Sequence, residues 1–179
     1  MYFVPYFYRR SDNTRIKAVI ASATESDLAC TASEPKWQSD WQSIFLQSAN
    51  ADLFALKTQD GELVALAAYE ARERSAYVYI LWMETAPSSN PTKTPKELRR
   101  YYGIGEVLLA FGIKYSIDHG LRGTIVFEAK STRLAEQYRD QYHAKQVATL
   151  HSGGPPRFML ADEDAWNIFS KYLFQEDDL

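Results

Sequence analysis

At 179 residues and 20.5 kDa the chain is the size of one ordinary domain, long enough that folding should bury roughly 70% of the unfolded chain's surface. A composition of 46% hydrophobic, 14% aromatic and 24% charged residues argues against disorder and against a low-complexity scaffold. A net charge of −3 and a pI near 5.6 supply no field for holding phosphate backbones, and the single cysteine, Cys30, can form neither an internal disulfide nor a thiolate zinc site, which fits a reducing cytoplasm.

Taken in chain order, the aromatic N-terminus carries Arg9-Arg10 after its apolar residues and Pro5 among them, the reverse of a secretory signal, and reads as an edge strand. Arg15 to Ala21 begins in polar–apolar alternation and is β-branched, a strand that leads through the capping side chains of Thr24 to Asp27 into a helix. Trp37, Trp41, Ile44 and Phe45 form one apolar stripe and predict a second helix over Lys36 to Gln47. Strands Leu53 to Lys57 and Glu62 to Glu70 flank Asp60-Gly61, a pair suited to a tight reversal, and Ala76 to Thr85 makes a third strand. No run approaches the ~20 apolar residues of a membrane span; the longest, such as Tyr77 to Met83, end within a strand's length.

Pro87, Pro91 and Pro95 make about 86–98 a long loop. Gly105 to His119 then has helical apolar spacing with Gly120 placed for a left-handed cap, Thr124 to Phe127 reads as a buried strand, and Ser131 to Tyr142 as a helix. Lys145 to Leu150 and Arg157 to Leu160 are short strands, and a C-terminal helix at about 163–174 bears Trp166, Phe169 and Leu173. The order β-α-α-β-β-β-α-β-α-β-β-α predicts a single mixed α/β domain over residues 1–179, with helices on the faces of one sheet.

The string Arg100-Tyr101-Tyr102-Gly103-Ile104-Gly105 lies between the proline-rich loop and a helix start. A helix N-terminus presents unpaired N–H groups and partial positive charge, and glycine lets phosphate oxygens approach the backbone, with arginine adding a cation. The same glycines serve equally for a sharp loop-to-helix turn. A dinucleotide fingerprint is excluded, since position 108 is Leu and a loop precedes the glycines; a Walker loop is excluded because the chain has no Gly-Lys pair.

With Arg100, Gly103 and Gly105 filling the pattern Arg/Gln-x-x-Gly-x-Gly/Ala, and with this element order from about Arg15 to Leu160, the chain resembles the GCN5-related N-acetyltransferase superfamily. Gly120 to Val126 also looks like that family's passage into its fifth strand. The resemblance implies a mostly antiparallel sheet of about six to seven strands, splayed between strands 4 and 5, and acetyl-CoA as cosubstrate. It implies that amides of Tyr101, Tyr102, Gly103, Ile104 and Gly105, with Arg100, hold the pyrophosphate, and that the strand end at Met83 and Thr85 meets the pantetheine arm. Where the family carries Asn-x-x-Ala-x-x-x-Tyr, this chain has Ser131 for Asn, Leu134 for Ala, and Tyr138, followed by Tyr142-His143 in place of Gly-Phe. Ser131 is thereby a coenzyme-binding candidate and Tyr138 the donor of a proton to the leaving thiolate, a role open also to Tyr142. Glu84, at the end of the splayed strand, is the expected base for an ammonium that must lose its proton before it attacks, and Glu70 competes for that role.

The implied reaction is direct acetyl transfer to a primary amine of a small molecule or protein, in the cytoplasm, with a homodimer open and nucleic acid disfavoured by charge. The alternatives are a non-catalytic acyl-CoA-binding module and a toxin-like acetylase of charged tRNA. His119, His143 and His151 lack metal-site spacing, so no metal is expected, and Cys30 reads as a small buried hydrophobe. Trp37 and Trp41 anchor the second helix in this reading, and the family often uses that helix as an acceptor wall. The thirteen steps from Pro87 to Arg100 exceed the family's usual spacing, making this loop a lid, a selecting wall or an oligomer contact.

Overall fold

Strand-forming runs dominate the chain, and the computed structural model, which describes residues 2–174, turns most of them into one sheet. The elements are β1 (Tyr2–Phe3), β2 (Tyr6–Arg9), β3 (Arg15–Ser22), α1 (Glu25–Cys30), α2 (Ile44–Ser48), β4 (Asp52–Thr58), β5 (Leu63–Arg72), β6 (Tyr77–Thr85), β7 (Tyr101–Tyr102), α3 (Ile104–Asp118), β8 (Ile125–Glu128), α4 (Thr132–Asp140), β9 (Lys145–Val147), β10 (Arg157–Leu160), α5 (Asp162–Phe169) and β11 (Leu173–Phe174). Among the described residues nine strands follow the order β7-β2-β3-β4-β5-β6-β8-β10-β9, and β1 pairs with β11. The pairs β2–β3, β2–β7, β3–β4, β8–β10 and β9–β10 are antiparallel, and β6–β8 is parallel.

The chain divides into two compact units, described separately. The first holds residues 2–68, 82–108 and 172–174, with Phe7, Trp41, Leu46, Leu56, Val64 and Leu66 in its core. Phe7 and Tyr101 meet edge to face at 4.8 Å there. The second holds residues 69–81 and 109–171, with Tyr69, Leu109, Ile113, Ile125, Phe127 and Phe158 buried. Its helix sits close on the strands: a Cβ added to Gly112 would meet Tyr69 Cε1 at 3.0 Å and Ile80 Cδ1 at 3.4 Å.

Local side-chain chemistry sets a helix start and a reversal in the first unit. Thr24 and Asp27 form a reciprocal capping box on α1, with the Asp27 carboxylate also paired to Lys57 at 2.7 Å. Gly61, at φ +93°, turns the chain between β4 and β5.

Contacts between distant residues override local pattern at several other places. The helix expected over Lys36 to Gln47 forms only as α2, because the amides of Gln38 and Ser39 donate to the Glu84 carboxylate instead of to a helical ladder, and the Trp41 indole donates to the same carboxylate. Ser43 then caps α2 through its Oγ, which accepts from Leu46 N at 3.4 Å. Tyr6–Arg9 is not an edge strand: β2 lies between β3 and β7. Together with β7 it raises the strand number above the expected six to seven. The C-terminal helix stops at Phe169 and gives way to a 3-10 turn and β11, whose Leu173 and Phe174 pair with Phe3 and Tyr2. Cys30 ends α1 in an exposed position.

Candidate active site

In the first unit the coenzyme-like motif is wired into its surroundings by contacts distant in sequence. Strand β7 pairs Tyr101 with Arg9 and Tyr102 with Tyr8. Arg10 N donates to the Arg100 carbonyl at 3.0 Å, and Arg100 N donates to the Ser88 carbonyl at 3.0 Å. Tyr101 N, one of the amides expected to hold a pyrophosphate, instead donates to Ser89 Oγ at 3.0 Å. The long loop therefore supports the motif strand, and the donors that remain lie further along. Gly103 turns the chain at φ +83°, and Ile104 and Gly105 open the first turn of α3, where amide groups have no carbonyl four residues earlier to donate to.

Gly105 is the informative glycine. Of the eight in the chain it alone has neither a positive φ nor any neighbour within 4 Å of an added Cβ. Neither backbone conformation nor packing demands glycine, and at a position alanine can adopt without strain glycine costs about 0.4–1 kcal/mol through the entropy of the unfolded chain. Its lack of a side chain leaves bare backbone facing open space at the positive end of a helix, which fits an incoming diphosphate.

The motif arginine is engaged. Arg100 Nη1 lies 2.7 Å from Glu62 Oε1, and Tyr101 OH donates to Glu62 Oε2 at 2.9 Å. Burial first, then the hydrogen bond to Glu62 and its charge, raise the pKa of that phenol. Glu62 and Ser89 were missed in the sequence; nothing in their local context marks them, since each acts on a residue far along the chain.

Glu84, near the end of β6, is 6% exposed. Its Oε1 accepts from Gln38 N, and its Oε2 accepts from Ser39 N at 3.1 Å and from Trp41 Nε1 at 2.9 Å. A carboxylate offers about four acceptor positions, so three are filled and one is left. Beside it Trp41 meets Trp82 edge to face at 5.7 Å and Phe45 lies 5.7 Å from the same ring, with Ile44 and Phe45 both exposed. Met83 and Thr85, the half-buried flanking positions, point to the other face of β6 by strand alternation.

In the second unit the β6–β8 register covers Val78 with Ile125 and Tyr79 with Val126, whereas β6 runs on through Ile80 and Leu81 and β8 through Phe127 and Glu128. This is the splay between the fourth and fifth strands of the expected order. Tyr138 on α4 packs its ring edge to face against Phe127 at 4.8 Å and lies 5.8 Å from Phe158, with Tyr142 stacked at 6.5 Å. Burial pushes its pKa up to about 12. The residue as a whole is 4% exposed. Ser131 caps α4, its Oγ accepting from Leu134 N at 3.3 Å. Glu70, the competing carboxylate, is paired with Arg72 at 3.0 Å. Among the described residues no group of three His, Cys, Asp or Glu side chains is placed to hold a metal, and no helix is long and apolar enough to cross a membrane.

No family model matches the sequence, and no curated protein matches it. Solved structures do resemble the fold. The spermidine/spermine N-acetyltransferase SpeG from Vibrio cholerae aligns with a TM-score of 0.56 at 10% identity, covering 87% of this chain and 97% of its own. AAC(6')-Ib, determined with paromomycin and acetyl-CoA, aligns at 0.56 and 15% identity over 84% of this chain and 96% of its own. A Bacillus subtilis acetyltransferase in complex with CoA aligns at 0.51 and 15% identity over 82% and 98%. What these likenesses share with the chain is the architecture.

Proposed function

We propose that this chain, which has the fold of the GCN5-related N-acetyltransferases, moves an acetyl group from acetyl-CoA to a primary amine by direct attack in a ternary complex, with residues 1–179 working as one acyltransferase domain. The observation that carries the reading is Gly105, a glycine with no conformational or packing reason, at the N-terminus of α3. The first-turn amides of α3 grip the diphosphate, and Arg100 contributes its charge once Glu62 yields it. The β6 backbone at Met83 and Thr85 runs along the pantetheine arm. Ser131, whose side chain is occupied in capping α4, contributes through the helix start it stabilises. Structural neighbours described with CoA or with paromomycin and acetyl-CoA, and one named a spermidine/spermine N-acetyltransferase, support this class of donor and acceptor.

In the step itself the amine nitrogen bonds to the thioester carbonyl carbon, the C–S bond breaks, and the surplus amine proton leaves. Glu84 accepts that proton at its remaining lone pair, directly or through a water, and a β6 backbone N–H stabilises the oxyanion. Tyr138 faces the departing sulfur. A phenol pushed up to about 12 stays protonated at neutral pH. Outright transfer to a thiolate is uphill, because a free cysteine thiol ionises near about 8.5, and the phenol therefore works as a hydrogen-bond donor. Tyr138→Phe should lower kcat about tenfold with little change in KM for acetyl-CoA, measured by thiol release; unchanged turnover removes Tyr138 from the mechanism.

The raised pKa also predicts an alkaline signature. A tyrosine whose folded pKa lies above its unfolded value of about 10 contributes stability that is complete below pH 10 and is lost as pH climbs toward 12. Urea denaturation across that window should show a shallower decline for Tyr138→Phe than for the wild type.

The deciding experiment compares melting temperatures with acetyl-CoA, CoA and nicotinamide dinucleotides, followed by thiol release over a panel of amines. Stabilisation by the first two and turnover with an amine support the proposal. Stabilisation without turnover on any amine points to a coenzyme-binding module, and tight, salt-dependent binding of RNA to an acetylase of charged tRNA.

A further inference from the structure

Arg157, on β10 opposite Glu128 of β8, is 8% exposed. Its Nη1 donates to the Ala148 carbonyl at 3.4 Å, and its guanidinium lies 5.3 Å from the centre of the Tyr79 ring. Its Nε and Nη2 are both buried and have no hydrogen-bond partner. The carboxylate oxygen paired with it, Oε1 of Glu128, stands 4.0 Å from Nε, outside hydrogen-bonding distance. Two N–H groups of a charged side chain are seldom left buried and unbonded, and such a vacancy calls for an explanation.

The identity of the two atoms supplies one. Nε and Nη2 share an edge of the guanidinium and present the parallel N–H pair with which arginine takes a carboxylate two-pronged. The second arginine nearby serves as a contrast. Arg72 lies 4.3 Å from the centre of the same Tyr79 ring, but its Nη2 is held by Glu70 at 3.0 Å and its Nη1 reaches Tyr77 OH at 3.5 Å. Of the groups facing this spot, Glu70 and Arg72 are paired, the Tyr77 hydroxyl interacts with both Arg72 and Arg157, and Glu128 interacts with the Tyr79 hydroxyl but stands off from Arg157, whose Nε and Nη2 remain without a hydrogen-bond partner. Tyr79 is also the last residue of β6 in register with β8, so the fork lies where those strands part.

We infer that Arg157 binds a carboxylate of the acceptor, and hence that the amine acetylated here belongs to a small molecule that also carries a carboxylate, an amino acid or a close relative. The inference rests on the acyltransferase reading and narrows its substrate class. The fork is closed to water at present, so the carboxylate enters as Glu128 or the segment at Ala148 gives way; the latter is held to Arg157 by the long 3.4 Å bond.

The test uses the full-length protein, acetyl-CoA and matched acceptors differing only in the carboxylate, L-phenylalanine against phenethylamine and L-lysine against cadaverine, within a panel of the protein amino acids. The wild type should favour the carboxylated member of a pair by at least about tenfold in kcat/KM, the scale of a charged hydrogen bond. Arg157→Ala should bring that ratio close to one. Arg157→Lys keeps the charge but not the fork, should lose most of the preference as well, and stands in if the alanine variant fails to fold. Equal or better turnover of the decarboxylated amines overturns the inference, as does a preference that survives in either variant, or no turnover of any amino acid by a protein that acetyl-CoA stabilises. Failure of acetyl-CoA to raise the wild-type melting temperature is a separate result, which removes the acyltransferase reading and this inference with it.

Discussion

Gly105→Ala should raise the melting temperature and weaken acetyl-CoA binding, two shifts of opposite sign from one methyl group. The added Cβ meets no protein atom within 4 Å, and the position lies in the first turn of α3 with no positive φ, so the folded chain accepts alanine without strain. Alanine also removes the backbone entropy that glycine loses on folding, a gain of about 0.5–1 kcal/mol. The same methyl stands where a diphosphate would rest on bare amides, and its intrusion should raise Kd for acetyl-CoA at least tenfold, about 1.4 kcal/mol. Gly103→Ala is the control. At φ +83° any side chain is strained, and there the melting temperature should fall. Calorimetry and a coenzyme titration on both variants decide the matter; unaltered coenzyme affinity in Gly105→Ala removes the observation on which the proposed function stands.

Glu84→Ala should be among the most damaging single changes in the chain. The carboxylate satisfies two backbone amides and an indole N–H while only 6% exposed, and its loss strands all three donors. Leaving such groups unpaired costs about 1–3 kcal/mol for each donor that water cannot reach and should loosen the segment from Gln38 to Trp41. Glu84→Gln separates anchor from base. The amide keeps the shape but turns an NH₂ toward N–H donors and cannot take a proton, so kcat should fall at least about a hundredfold with KM for acetyl-CoA little changed. Near-normal kcat in that variant would leave Glu84 with a structural task alone. Trp41→Phe, which removes one donor and keeps the carboxylate, should cost about 1 kcal/mol with a smaller effect on turnover.

Much of this architecture was legible in the amino-acid order because its causes are local. Asp60-Gly61 between two alternating runs specifies a reversal within a few residues, Thr24 and Asp27 can cap only the helix that starts between them, and Gly103-Ile104-Gly105 marks a helix start wherever the chain goes next. The period of the apolar residues then fixes which face of each element is buried, and the order of elements leaves few topologies.

What tertiary structure alone decided are the partnerships between distant residues. Nothing near Glu62 announces that it will hold Arg100 and Tyr101, and nothing near Ser89 that it will take the Tyr101 amide. The apolar stripe through Trp37 and Trp41 satisfied a helical period, yet the segment is not helical, because a carboxylate on β6 competes successfully for its amides. Strand β2 looked like an edge until β7 closed against it, and Arg157 looked like any strand arginine until its surroundings left two of its donors with nothing to bind. Periodicity and turn chemistry act over a handful of residues and can be read along a line. The pairing of a buried charge depends on which elements meet, and that is settled only when the whole chain has packed.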